Sequence, residues 1–541
     1  MKRITASAFS VSLAASLLFT TGVSANTSEN NPFSTNKREF HQNNHLAQSA
    51  VQTTVTYKQR IDMHSIHEYY FESAGGQFKI SKFHSEEDIN VTLTNMSTQE
   101  EIEFEYDQPF NLPHGEYIFI IQGDSELSQG YEYEFYGIYK EQPSVLLPSL
   151  TISNPSSQSL RLAKGNTHID VTGTTDANEL AFYLNNEEPI SLGKSFNTAV
   201  SLKAGYNSLT FSALNTDSNN AVLSLYNVIS PGIKRIGGKD RFEVSAGISK
   251  EVEDQGVYSD TIIITRGDLY TDALSGGPLA ALEDSPILLT GTHALPNKTL
   301  DEIIRRSPEK AIILGGTGSV STKVENQLRS LGVQTIQRIA GKDRFEVSAS
   351  VAKQLAEYTD TAIIASGLNF PDALSASSMA GYAGMPILLV RTSTVPDSIQ
   401  AFIKDNPDIN NFIIVGGPAT VSDSVKTKIK QLRSDAFVDR IGGLNRYQVS
   451  INTANYGIEN YGMDLSSLVV ARGDVFADAL SGSPLASFTG APILLTTSTK
   501  VENNIINYLK QKQGETDLIY ILGGTGSIAT TTEQQLSSFI K

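Results

Sequence analysis

An eleven-residue stretch occurs three times in this chain, and that recurrence rules out reading the molecule as one undivided fold. Arg235-Ile236-Gly237-Gly238-Lys239-Asp240-Arg241-Phe242-Glu243-Val244-Ser245 returns as Arg338-Ile339-Ala340-Gly341-Lys342-Asp343-Arg344-Phe345-Glu346-Val347-Ser348 and as Arg440-Ile441-Gly442-Gly443-Leu444-Asn445-Arg446-Tyr447-Gln448-Val449-Ser450. The leading arginines lie 103 and then 102 residues apart, and 101 residues follow Arg440. Other landmarks keep the same order: Asp-Ala-Leu-Ser from Asp272, Asp372 and Asp478, Pro-Ile-Leu-Leu from Pro286, Pro386 and Pro492, and a Gly-Gly at 315–316, 416–417 and 523–524. Solenoid repeats run about 20 to 50 residues. This period is that of a small domain.

Within one copy, Thr261–Thr265, Pro286–Thr290 and Ala311–Leu314 are uniformly apolar and rich in branched residues, as strands buried on both faces must be. Between them, 272–282, 297–306 and 322–331 have helical spacing. The alternation predicts a parallel, doubly wound α/β unit. Asp240 with Glu243, Asp343 with Glu346 and Asn445 with Gln448 read as capping boxes for the helix that follows the glycines. Asp272, Asp372 and Asp478 read as N-caps of the helix beginning Ala-Leu-Ser.

The Arg-Ile-Gly-Gly opening, the Asp-Ala-Leu-Ser box, the Pro-Ile-Leu-Leu strand and the Gly-Gly strand end, in triplicate over residues 231–541, resemble the cell wall binding repeat 2 family. The resemblance implies three repeats, 231–334, 335–436 and 437–541, packed around a pseudo-threefold axis. It also implies that they hold a surface protein of a Gram-positive bacterium non-covalently on an anionic wall polymer, teichoic-acid-like or a secondary wall polysaccharide. Some relatives accompany wall hydrolases and modify their activity, so a regulator of such a hydrolase is the alternative function.

Fixed charges recur with the motif. Arg235, Arg338 and Arg440, and Arg241, Arg344 and Arg446, serve either ion pairs between repeats or an anionic ligand. Ligands of open α/β sheets bind beyond the strand C-terminal ends. There the chain places Arg266-Gly267-Asp268 with Tyr270, Ser366-Gly367-Leu368-Asn369, and Arg472-Gly473-Asp474 with Phe476. Arg266 and Arg472 therefore complete the candidate ligand-binding set. The second copy lacks this Arg and Asp, which argues against three equal sites. Gly-Gly loops such as Gly315-Gly316-Thr317-Gly318-Ser319 open towards helix N-termini and offer backbone amides to an anion.

Ahead of the repeats, Met1–Ala25 has Lys2 and Arg3, the apolar run from Ala8 to Thr20 and the small-residue site Val23-Ser24-Ala25, a secretory signal too short to span a membrane. Residues 26–50 are polar and read as a flexible lead-in. The alternation in Gln77–Ser81, Asn90–Thr94 and Tyr117–Ile121 predicts a β-sandwich over 51–143. Its ending, Leu112–Tyr117 then Gly130-Tyr131-Glu132-Tyr133, is similar to the bacterial pre-peptidase C-terminal domain. After a proline-bracketed linker at 143–148, residues 149–230 read as a second sandwich whose Leu202…Gly205-Tyr206-Asn207 ending resembles bacterial immunoglobulin-like modules. The expected architecture is thus multidomain, with two N-terminal β-sandwiches followed by three α/β repeats.

Composition narrows the function classes. The net charge of −16 sits in front: 13 Lys and Arg against 25 Asp and Glu in residues 1–230, but 29 against 33 in 231–541. Neither half is basic, which disfavours nucleic acid, and an anionic polymer must be held by local clusters of arginine and lysine, by backbone amides or by bridging divalent cations. With no cysteine in the chain, the fold rests on its cores alone. His64 and His67 are expected to be ordinary surface histidines, since strand residues three apart face opposite ways and no metal set completes them. The repeats hold one histidine, His293, and their recurrent carboxylates have capping roles, so neither a catalytic set nor a cofactor is expected.

Overall fold

The computed structural model describes residues 53–61, 65–82, 89–106, 108–123, 131–139, 147–185, 187–218 and 220–541. The expected signal, the lead-in, His64 and residues 143–146 of the linker lie outside the described residues. The chain forms two compact units, one ending at Ser230 and one running from Pro231 to Lys541, the latter also taking in Ala163–Gly165.

The front unit is built of sheet. Its long strand Ser65–Lys82 pairs antiparallel with Phe110–Gly123 and, beyond a register shift between Ser73 and Phe78, with Tyr131–Tyr139. The pleat sends Tyr69, Phe71, Phe78 and Ile80 into one aromatic core with Phe119 and Phe135, the last two 4.8 Å apart edge to face. Further along, Ile169, Val171, Phe196 and Val200 of a three-stranded sheet close over Leu180, Phe182, Leu209 and Phe211. Asn207, 2% exposed, fixes the turn before its strand by bonding both the N–H and the carbonyl of Lys203. The two expected sandwiches share a sheet: Ala221–Ser224 pairs antiparallel with Ser65–Glu68, which joins strands of both regions into one ten-stranded sheet, while the three-stranded sheet stays separate. That joint corrects the reading of His67, which is buried rather than on the surface. Burial pushes its imidazole down to about 4.

The triplicated unit holds three four-stranded parallel sheets. In the first, the order is Ile287–Thr290, Thr261–Arg266, Lys310–Leu314, Thr335–Ile339. Alternate residues face opposite layers. Ile262, Ile264, Leu288 and Ile313 pack on Ile303, Val324 and Leu328 of the outer helices Asn297–Arg306 and Thr322–Ser330. Ile263, Leu289 and Ile312 pack on Leu279, Val347 and Val351 of the inner ones. The fourth strand of each sheet is the opening of the following copy. Thr335–Ile339 completes the first sheet, Phe437–Ile441 the second, and Gly232–Ile236 returns to complete the third against Leu518–Leu522. The sheets therefore cross the expected boundaries at 334/335 and 436/437, and the first and last segments of the unit lock to each other.

The Pro-Ile-Leu-Leu strand is a sheet edge that is nevertheless buried, so its free amides need partners. The last serine of each opening supplies one: Ser245, Ser348 and Ser450, all 0% exposed, accept from the N–H groups of Leu289, Leu389 and Leu495.

Candidate ligand-binding site

The leading arginines sit on the fourth strands and clamp the Gly-Gly loops. Arg338 donates to the carbonyls of Gly315 and Val320, both at 2.9 Å, and pairs with Glu325 at 3.0 Å. Arg440 bonds Gly416 at 2.8 Å, Val421 at 2.7 Å and Asp423 at 3.0 Å. Arg235 bonds Gly523 at 2.9 Å and Glu533 at 2.8 Å. The amides of those loops turn inward as well: Gly315 donates to Ile339, and Ser319 and Val320 to Gly316, with the same pattern in the other copies. Two of the amides expected to face an anion, those of Gly315 and Ser319 and their counterparts, are thus committed within the fold.

The aspartates of the Asp-Ala-Leu-Ser box are not N-caps. The helices they were expected to cap are Gly276–Leu282, Pro371–Tyr382 and Ala477–Phe488, capped at Ser275, Phe370 and Phe476 without a side-chain bond. Their carboxylates instead reach the Gly-Gly loop. Gly315, Gly416 and Gly523 have φ of +109°, +119° and +100°, and a Cβ on each would lie 2.3–2.4 Å from Asp272, Asp372 or Asp478. Glycine is required twice over, by conformation and by contact. Burial pushes the Asp372 carboxyl above its ordinary range, against the pull of the Thr420 hydroxyl and the Arg446 guanidinium.

The capping aspartates act as expected in two copies, but their glutamates reach back to the residue before the cap rather than to the cap's own amide. Asp240 and Asp343 each accept two helix amides, and Glu243 and Glu346 reach back to the amides of Lys239 and Lys342. In the third, Asn445 accepts only from Gln448, whose amide turns to Asn452.

The second arginine of each opening lies where the three copies meet. Tyr270, Phe370 and Phe476 form a closed triangle, with centroids 5.4–5.7 Å apart. Each arginine faces the ring of another copy: Arg241 lies over Phe476 and Arg344 over Tyr270, both at 5.6 Å, and Arg446 over Phe370 at 5.9 Å. Each also donates to the carbonyl of its own strand-end glycine, Gly267, Gly367 or Gly473. Small residues let the inner helices approach behind this triangle. A Cβ on Gly277 would lie 2.0 Å from Ser483 Oγ, and one on Gly381 2.2 Å from Ser487 Oγ.

At the rim, Arg266 pairs with Asp268 and Arg472 with Asp474, each with one bond of 2.7 Å. The paired guanidinium holds each carboxyl below the usual range, helped by Arg241 beside Asp268 and Arg446 beside Asp474. The second copy has Ser366 and Leu368 here. Its rim arginine is one the motif comparison passed over, Arg391, at the end of strand Ile387–Val390, with its guanidinium 4.7 Å over the Phe345 ring. The signal was an isolated difference after Pro-Ile-Leu-Leu, where the other copies have Gly291 and Thr497. Among the described residues no cluster of His, Asp and Glu is arranged to hold a metal, and no helix is long and apolar enough to cross a membrane.

Comparison with known sequences places these features in a family. Residues 235–325, 338–426 and 440–533 each match Cell wall binding domain 2 (CWB2), together just over half of the chain. The chain belongs to the CWB2 family. The clamps join successive CWB2 segments end to end, since Arg338 begins one segment and Glu325 ends the one before it, as Arg235 and Glu533 do around the closure. Among curated proteins, the chain is 29% identical over 306 residues to the N-acetylmuramoyl-L-alanine amidase LytC of Bacillus subtilis, covering 57% of this chain and 58% of the relative. It is 33% identical over 303 residues to the amidase enhancer of the same organism, 56% of this chain and 40% of that one. The chain therefore spans about half the length of these relatives. Among solved structures, Cwp6 of Clostridium difficile aligns with a TM-score of 0.54 at 23% identity, over 73% of this chain and 68% of that one. Cwp8 aligns with a TM-score of 0.50 at 24% identity, over 62% and 60%. These two likenesses speak to the fold.

Proposed function

We propose that this protein is a secreted wall anchor of a Gram-positive envelope. Its three CWB2 segments, arranged in a pseudo-threefold module, hold an anionic wall polymer non-covalently, and the front unit, read as a pre-peptidase C-terminal-like and an immunoglobulin-like module, is displayed from it. The observation that carries this reading is the threefold match to CWB2. The ring of Arg241, Arg344 and Arg446 at strand C-terminal ends supplies the chemistry, because each guanidinium keeps donors beyond its one carbonyl bond. On this reading the binding is non-catalytic. Arg235, Arg338 and Arg440 keep the module closed, while Arg241, Arg344, Arg446, Arg266 and Arg472 stand nearer the ligand.

The test is sedimentation of the full chain with purified walls, before and after cleavage of their anionic polymers from the peptidoglycan. Sedimentation that is lost on cleavage supports the anchor; equal retention by stripped peptidoglycan overturns it. A second reading, a regulator of a wall hydrolase, is favoured by the similarity to an amidase enhancer. It predicts that the protein changes the rate of wall lysis by an amidase without any lytic activity of its own.

A further inference from the structure

The three rim loops align as Arg266-Gly267-Asp268-Leu269-Tyr270, Ser366-Gly367-Leu368-Asn369-Phe370 and Arg472-Gly473-Asp474-Val475-Phe476. In the first and third, an aspartate answers the rim arginine directly and lies within the field of the junction arginine. Two guanidiniums there already share an internal anion. In the second, Leu368 stands in the aspartate's place, 43% exposed, and Ser366 is fully buried. Positive charge is not lost with it. Arg391 lies over Phe345, which is 3% exposed, whereas Phe242 and Tyr447 in the other copies are only half-buried. Arg344, adjacent to Phe345, bonds Gly367 and lies over Tyr270. Phe345 and Arg344 both line Gly367, where a Cβ would meet them at 2.7 and 3.3 Å. Among the described residues neither Arg344 nor Arg391 enters an ion pair, in contrast to Arg266 and Arg472.

We infer that the second repeat carries the anion-binding subsite of the module: Arg344 and Arg391 together hold one oxyanion of the wall polymer, while Asp268 and Asp474 close the equivalent places in the first and third repeats. This rests on the anchor reading above. A guanidinium held over an aromatic ring and free of an ion pair keeps donors for a ligand and has already lost rotamer freedom, so less is lost when an anion binds. A planar fork suits the paired oxygens of phosphate or carboxylate.

The test uses the full chain and purified walls. Arg391→Ala is expected to weaken binding about tenfold and to flatten its salt dependence, since one charge-assisted contact is removed. Leu368→Asp is expected to do the same without removing any arginine, by giving the second rim the carboxylate of the other two. Arg266→Ala and Arg472→Ala, whose guanidiniums are already answered by Asp268 and Asp474, are expected to weaken binding far less than Arg391→Ala does, and Asp268→Asn with Asp474→Asn to raise it. Arg391 and Leu368 are both exposed, so unchanged melting temperatures will separate binding from folding. Cleaving phosphodiesters or esterifying carboxylates on the wall then identifies the oxyanion. If Arg391→Ala and Leu368→Asp still sediment like the unaltered chain, or if Arg266→Ala weakens binding as much as Arg391→Ala, the assignment to the second repeat is overturned and the anchor stands. If the unaltered chain does not sediment, the anchor reading falls and this assignment with it.

Discussion

Glu302 in the triplicated unit and Glu68 in the front unit are equally hidden from water, each 2% exposed, yet their surroundings are opposite. Glu302 accepts from the Ser249 hydroxyl at 2.7 Å and from two nitrogens of Arg305 at 2.8 and 2.9 Å. Glu68 lies at the seam where the two halves of the front sheet join, and its Oε1 has no hydrogen-bond partner among the described residues. Burial pushes its carboxyl up to about 7, and a charge there would lie beside the phenols of Tyr70 and Tyr183. A buried acid with partners is a fastening, and one without them is a load on the fold.

The largest expected effect follows from removing that load. The folded carboxyl keeps its proton to about 7, whereas the unfolded one releases it near 4.5. The folded state therefore binds more protons between those values, and front-unit stability contributed by this group falls as pH rises through that window. Glu68→Gln is expected to stabilise the front unit by about 3 kcal/mol at pH 8, with the gain vanishing below pH ~4.5. Thermal melts of the two proteins across that range test this, and a gain independent of pH would exclude protonation as the cause. His67 acts in the opposite direction: its depressed value makes the fold lose stability as pH falls from 6.5 towards 4. With Glu68 replaced, that acid-side loss becomes the dominant slope.

The converse substitution, Arg305→Ala, removes the guanidinium that bonds both Glu302 and Glu253 and leaves Glu302 the Ser249 hydroxyl as its hydrogen-bond partner. A loss of about 2 kcal/mol is expected, below the 3 to 5 of a fully enclosed pair because Arg305 is itself partly in water. Arg305→Ala with Glu302→Leu should recover most of it, which a mere loss of surface charge would not allow.

Next in size are the two arginines of one opening. Arg338→Ala removes two carbonyl bonds and the pair with Glu325, and is expected to cost about 2 kcal/mol of stability. Arg344→Ala removes one carbonyl bond and a ring contact, and is expected to cost about 1 kcal/mol. Wall sedimentation should respond in the reverse order, with Arg344→Ala the greater loss. Equal effects on both measurements would dissolve the distinction between closing the module and binding its ligand.

These contrasts show where sequence reasoning reached and where it stopped. Strands such as Thr261–Arg266 and Ile287–Thr290 were legible because a strand buried on both faces can only be apolar, and three copies repeat the evidence. The helix Asn297–Arg306 was legible from its period. The exchange of fourth strands was not, because a strand carries no mark of which sheet it joins when every copy offers the same edge. Asp272 was misassigned because the residue before an apolar helical run normally caps it, and only the fold brings Gly315 to its carboxylate. Comparison of motifs found Arg241 and Arg266 by their recurrence. It passed over Arg391 because a residue that makes one copy different is, by construction, absent from the repeat. His67 was misread for a related reason: nothing local in Ser65–Glu68 announces that Ala221–Ser224 will cover it.

The smallest expected effect asks whether partner count sets the cost of a polar group at the surface as it does in the core. Asp343 accepts the amides of Phe345 and Glu346, and Glu346 returns a bond to Lys342. Asn445 accepts one amide, that of Gln448, and among the described residues no side chain reaches back to the amide of Leu444, the Gln448 amide turning to Asn452 instead. Both sit at the N-terminus of the same helix in successive copies, so helix length and tertiary setting nearly cancel. Asp343→Ala is expected to cost about 1 kcal/mol and Asn445→Ala about half of that. The acidic cap gains in addition from the helix dipole, so salt should narrow the difference without closing it. If the two substitutions lower the melting temperature equally at every salt concentration, the reciprocal bond of the capping box contributes nothing here, and the change from Asp-Arg-Phe-Glu to Asn-Arg-Tyr-Gln between copies is neutral for folding.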